Sequence, residues 1–162
     1  MAVFTNATWQ VNPGRTADVL ANMVRAKAIH ERLGGQVSVI QSMYGGSNSG
    51  RLAYLIALPD MAALGAFNDA QAADAQWQQF VQEVLWAPNP SATLLANSVN
   101  QDLPGFEGGI PARQAPGSLM STTAWQPQPG RLGEIMVEVA AWNTVAAKHG
   151  LTTRAVQATA AG

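Results

Sequence analysis

The chain has 162 residues, with 9 Lys and Arg against 10 Asp and Glu, no Cys and 48% apolar residues. That length makes one domain or two small ones with a real core. Charged residues, at 12%, are about half the usual quarter, which excludes a disordered or coiled-coil chain. The near-neutral balance lacks the basic stripe that nucleic acid or an anionic membrane surface requires. No apolar run is long enough to span a bilayer. The opening Met1-Ala2-Val3-Phe4-Thr5-Asn6 lacks the basic and apolar regions of a signal peptide, so a cytoplasmic location is expected. Without Cys there is no thiol catalysis, disulfide or thiolate metal site.

In chain order, Val3 to Val11 is β-branched and aromatic and reads as a strand, followed by turn chemistry at Asn12-Pro13-Gly14. From Thr16 the pattern turns helical, with Val19, Met23, Ala26, Ile29 with His30, and Leu33 recurring at threes and fours until Gly34-Gly35. Gln36 to Tyr44 alternates as a second strand, Gly45 to Gly50 is a hairpin loop, and Arg51 to Leu58 is a third strand. Asp60 caps a helix running from Met61 towards Ala70. Asp74 caps another carrying Trp77, Phe80, Val81, Val84 and Leu85, and Ser91 to Val99 is the fourth strand. The order β-α-β-β-α-β predicts an α+β, ferredoxin-like unit over residues 1–103.

The Pro- and Gly-rich stretch 104–117 reads as a linker, and beyond it the opening repeats. Ala7-Thr8-Trp9-Gln10-Val11-Asn12-Pro13-Gly14-Arg15 returns 116 residues later as Thr123-Ala124-Trp125-Gln126-Pro127-Gln128-Pro129-Gly130-Arg131, with Gly34 falling on Gly150. A tandem, incomplete second unit over 118–162 is therefore expected: strand Leu119 to Gln126, helix Leu132 to His149, strand Thr152 to Thr159. In the 4-1-3-2 sheet of such a unit, the third strand separates the first two. The second unit's strands would stand roughly 9–10 Å apart without it. Three outcomes are open: a sequence that stops short of about 220 residues, a partner chain supplying the strand, or a rearranged second half whose two strands pair directly or join a neighbouring sheet by strand addition.

These features resemble the dimeric α+β barrel superfamily, which includes antibiotic-biosynthesis-type monooxygenases and NIPSNAP-like proteins. The points of likeness are the strand-Pro-Gly-Arg-helix-Gly-strand opening (Trp9 to Val39 and Trp125 to Val156), the Gly-rich hairpin before the Tyr54 strand, and Asp74-Ala75-Gln76-Trp77-Gln78-Gln79-Phe80. The resemblance implies tandem ferredoxin-like repeats forming a barrel, a homo-oligomer or its single-chain equivalent, and an apolar cavity. Its monooxygenase branch implies cofactor-independent oxidation of an aromatic or polycyclic molecule. The motifs specify architecture rather than chemistry.

Few residues offer chemistry. His30, in the last turn of its helix, is a candidate proton carrier, against the plainer reading of a half-exposed helix-end histidine. Trp9 and Trp125 are candidate stacking walls for an aromatic ligand, against a reading as buried core. Tyr44 and Tyr54 flank the hairpin and are candidate hydrogen-bonding groups. Trp77, Trp86 and Trp142 read as packing residues. The Gly45–Gly50 loop lacks a phosphate-binding pattern, and two His without Cys make no zinc site. No nucleophile-base set and no paired carboxylates stand out. The expected cofactor and metal complement is none. Three functions compete: binding of an apolar or aromatic small molecule in a cavity, monooxygenase-like turnover, and a non-catalytic assembly role through sheet edges.

Overall fold

A computed structural model describes residues 1–105 and 118–161. Most of the expected linker, residues 106–117, lies outside them. One five-stranded sheet, all of its pairings antiparallel, carries the molecule. Its strands are β1 (Val3–Val11), β2 (Gln36–Gln41), β3 (Leu52–Leu58), β4 (Ala92–Asp102) and β5 (Val156–Ala161), in the order β2-β3-β1-β4-β5. The first four strands have the ferredoxin-like arrangement that the first unit predicts.

Alternation sorts the strands into two faces. Val3, Val37, Leu52, Tyr54, Ile56 and Leu58 point into the main core, while Phe4, Leu55 and Ala57 form a smaller cluster on the reverse face. Onto the main face pack α1 (Thr16–Arg32), α2 (Met61–Ala73) and α3 (Ala75–Phe80), which continues into a π-helical turn at Val81–Leu85. From α1 come Val19, Met23, Ala26 and Ile29, from α2 Leu64 and Phe67, and from α3 Phe80. Each such Val, Leu, Ile, Met or Phe side chain, fully buried, contributes about 1.5–3 kcal/mol before entropy is subtracted.

Local chemistry sets the helix ends. Asp60 accepts from the Ala63 amide and Asp74 from the Trp77 amide, both at 2.8 Å, so two orphan donors are satisfied at the starts of α2 and α3. Arg32 reaches Asp74 at 2.8 Å and ties the end of α1 to the start of α3. α1 stops in a Schellman arrangement: Gly34 has φ 94°, its amide donates to the Glu31 carbonyl, and the Gly35 amide donates to the His30 carbonyl. Gly35 also serves packing. A Cβ there would lie 2.7 Å from Ile56 Cγ2 and 3.1 Å from Phe67, so only glycine lets α1 turn into β2 this close to the sheet.

The second half departs from expectation. α4 (Leu132–Lys148) forms as predicted, but residues 119–126 make no strand and are exposed. The equivalent of β1's place is not available to them: β3 and β4 already take both edges of β1, and the counterparts of β3 and β4 that would flank 119–126 are not among the described residues. The final strand starts four residues later than expected and adds to β4, its residues Val156 to Ala161 opposite Asp102 to Ser98. The structure shows strand addition to the first unit's sheet. Arg154 secures it. Its guanidinium pairs with the buried Asp102 carboxylate and lies 5.0 Å above the Phe4 ring.

Candidate functional site

His30 is a polar group built into the main core. It is only 3% exposed, so the expectation of a half-exposed helix end is corrected. The last turn of α1 is pressed between β3 and the α2–α3 elbow rather than projecting into solvent. Nδ1 lies 2.8 Å from the Tyr54 hydroxyl on β3, and Nε2 lies 2.7 Å from Nε2 of Gln71 on α2. Trp77 tilts against the imidazole at 4.6 Å between ring centroids, with Phe67 at 5.7 Å, and Phe80 stacks on Trp77 at 5.3 Å.

The hydrogen bonds admit two proton arrangements. With Gln71 Nε2 as donor, the ring accepts at Nε2 and its Nδ1–H donates to Tyr54. With the amide turned over, Tyr54 donates to Nδ1, and Nε2–H donates to the Gln71 carbonyl oxygen. Both keep the ring neutral. Burial lowers the His30 pKa to about 4, while burial and then the Glu31 carboxylate push the Tyr54 phenol well above its ordinary value. A base this weak beside so weak an acid is far from the neutral-pH match that proton-transfer catalysis favours.

The other candidates do not gather here. Trp9 is half-buried against the main core, and Tyr44, at the hairpin, is 95% exposed. Trp125 lies on the exposed 119–126 stretch, so the expected burial of the Trp pair fails for this member. Trp86 and Trp142 are exposed too and are not packing residues, whereas Trp77 is packed as expected. The one-turn extension of α2 beyond Ala70 is what delivers Gln71 to His30. The stripe Leu64, Phe67, Gln71, spaced i, i+3, i+7, was the signal that could have found it.

A hollow of about 280 Å³ lies elsewhere, open to solvent at the start of α4 between Gln126, Arg131, Glu134 and Glu138. His30, Tyr54 and Trp9 do not line it. Among the described residues no three His, Asp or Glu side chains are grouped to hold a metal, and no helix is long and apolar enough to cross a membrane.

The fold is similar to that of NIPSNAP family proteins of known structure. A NIPSNAP family protein from Agrobacterium tumefaciens aligns at 13% identity over 65% of this chain and 96% of its own, with a TM-score of 0.51. An uncharacterised NIPSNAP-like domain protein from Burkholderia xenovorans aligns at 13% identity over 72% of this chain and 97% of its own, also at 0.51. A Bordetella bronchiseptica protein described as a candidate antibiotic biosynthesis monooxygenase aligns at 19% identity over 63% and 97%, with a score of 0.44. At these identities the likeness is one of fold. No protein-family model matches the sequence, and no curated protein does.

Proposed function

We propose that this protein acts by contact with other chains, the assembly role among the three functions open from the sequence, rather than by turnover of a small molecule. The observation that carries this reading is the apolar surface of α4: Trp142 is 62% and Val145 49% exposed, and Leu151 just beyond the helix is also exposed. Trp142 and Val145 share one face of the helix at i, i+3 spacing, and an exposed apolar face marks an interaction site. Packing between helices and sheet supports the same reading. The region where a ligand cavity was expected is occupied by Tyr54, Phe67, Trp77 and Phe80 around His30. In this reading the chain comprises a ferredoxin-like unit (1–103), a linker (104–117) and a partial second unit (118–162) that faces the partner. It works in the cytoplasm without a bound cofactor.

Two measurements on the full chain test it. Sedimentation between about 1 and 100 μM should show reversible self-association, as small apolar interfaces give in that range. Oxygen uptake with a polycyclic phenol should stay at the buffer rate. A chain that remains monomeric and oxidises the phenol would establish the monooxygenase alternative, with His30, Tyr54 and Trp9 as its first residues to mutate.

A further inference from the structure

β5 is joined to the first unit by an unusual mixture of contacts. Among the described residues, neither core cluster includes a side chain from 118–161. The ladder to β4 runs only from Ser98 to Asp102 and breaks register between Val99 and Asn100. Two further bonds flank it: the Leu103 amide donates to the Ala155 carbonyl at 3.2 Å, and the Thr159 hydroxyl to the Val99 carbonyl at 3.1 Å. Val156 to Thr159 stay exposed, so this ladder brings little apolar burial with it. What is buried at the junction is charged. The Asp102 side chain is 2% exposed and that of Arg154 13%. Among the described residues theirs is the one ion pair between 118–161 and the first unit.

We propose that residues 154–161 form a releasable strap, which leaves β4 and rejoins it as a unit while the first unit stays folded, with the Arg154–Asp102 pair as its latch. Two arrangements satisfy the carboxylate: covered and paired with Arg154, or hydrated once the strap has gone. The arrangement between them, covered but without its cation, carries the large cost of a buried lone charge. Release is therefore all-or-none rather than a gradual fraying. It gives up a short ladder and little apolar contact, so it belongs among local openings that occur far more often than unfolding of the core. Release also lifts the guanidinium from the Phe4 ring, 5.0 Å away, and uncovers one side of the cluster of Phe4, Leu55 and Ala57 on the reverse face. The strap goes beyond the assembly reading and does not depend on it, since both of its states belong to a single chain.

Hydrogen exchange of the full chain at low concentration provides the test. The β5 amides bonded to β4 should exchange together, about a hundredfold or more faster than the amides of β3, which has a neighbouring strand on each side. Arg154→Met keeps an apolar stem over Phe4 and removes the cation. It should speed β5 exchange about tenfold further and leave β3 exchange unchanged. Adding Asp102→Leu to that variant should bring β5 exchange back to about the unmodified rate, because an apolar pair replaces the charged one. A second substitution that merely damaged the fold would speed exchange again and would overturn the latch. If either variant fails to fold, the unmodified chain decides: β5 amides exchanging no faster than those of β3 overturn the strap. Equal acceleration of β3 and β5 in Arg154→Met overturns the latch, since the pair would then hold the whole fold. Protection of β5 that climbs with protein concentration points to a strand supplied by another chain and overturns the intrachain strap. None of these readings on the dilute chain changes if sedimentation finds no self-association, so the strap and the assembly reading fail separately.

Discussion

α1 and α4 have the same length and begin 116 residues apart, each after a Pro-Gly-Arg turn. Each opens with an arginine paired to an acid three residues on, Arg15 with Asp18 and Arg131 with Glu134. Each closes in the same Schellman geometry, with Gly34 and Gly150 both at positive φ and the following amides returned to His30 and Ala146. Yet the same helical positions meet opposite fates. Met23, Ala26 and Ile29 are buried, whereas Val139 is half-buried and Trp142 and Val145 are exposed. The difference comes from what stands opposite. α1 is held by β2 and α3, by Arg25 on Glu83 at 2.8 Å and by Arg32 on Asp74. Among the described residues no counterpart of β3 or α3 follows α4. Helix ends are local chemistry; burial of a helix face belongs to its neighbours.

The contrast is sharpest in the stripe itself. Met23→Ala should cost about 2–5 kcal/mol, because it opens a cavity that the surroundings fill only in part. Val139→Ala, at the equivalent half-buried position, should cost well under half as much. Paired urea melts check this, and equal losses would mean that α4 is covered in solution.

Acid should act through the α1 half alone, since the position matching His30 is Ala146. The folded pKa of about 4 lies below the ordinary 6.5, so the folded state resists protonation. This contribution is fully present above pH 6.5, is lost as the pH falls towards 4, and is constant below. Its upper bound is about 3 kcal/mol. His30→Phe should flatten that part of the stability–pH curve. His30→Ala should itself destabilise by about 1–3 kcal/mol or more, because it leaves Tyr54 and Gln71 without their partner. That exceeds the roughly 0.3–1 kcal/mol expected of a histidine at an exposed helix end.

Gly35→Ala probes the junction after α1, where the added Cβ meets Ile56; overpacking of that kind costs about 1–3 kcal/mol. Leu151→Ala, the matching site after α4, should change the unfolding free energy by less than about 0.5 kcal/mol. Thermal melts of the two variants compare the tight junction with the open one.

The smallest effect is expected at Trp142, which is exposed. Trp142→Ser should leave monomer stability within about 0.5 kcal/mol of the unmodified chain. A loss of several kcal/mol would place Trp142 in a core and remove the observation on which the proposed function stands.

What the sequence by itself determined lies within a few residues of chain. Asp60 and Asp74 as caps, the Gly34 stop, the order of the first four strands and the bounds of α4 follow from spacing and turn chemistry, and the structure has them. The tertiary structure alone decided what depends on partners far along the chain. Strand-like residues 119–126 pair with no strand among the described residues, while Val156–Ala161 pairs with β4. His30 became a buried, neutral link because Tyr54, 24 residues away, and Gln71, 41 away, converge on its ring. Trp9 and Trp125 share a local sequence pattern and differ in burial, since only Trp9 lies on a strand with a core beneath it. A repeating pattern sets which side of an element is apolar; whether that side is covered depends on which surfaces the rest of the chain brings against it.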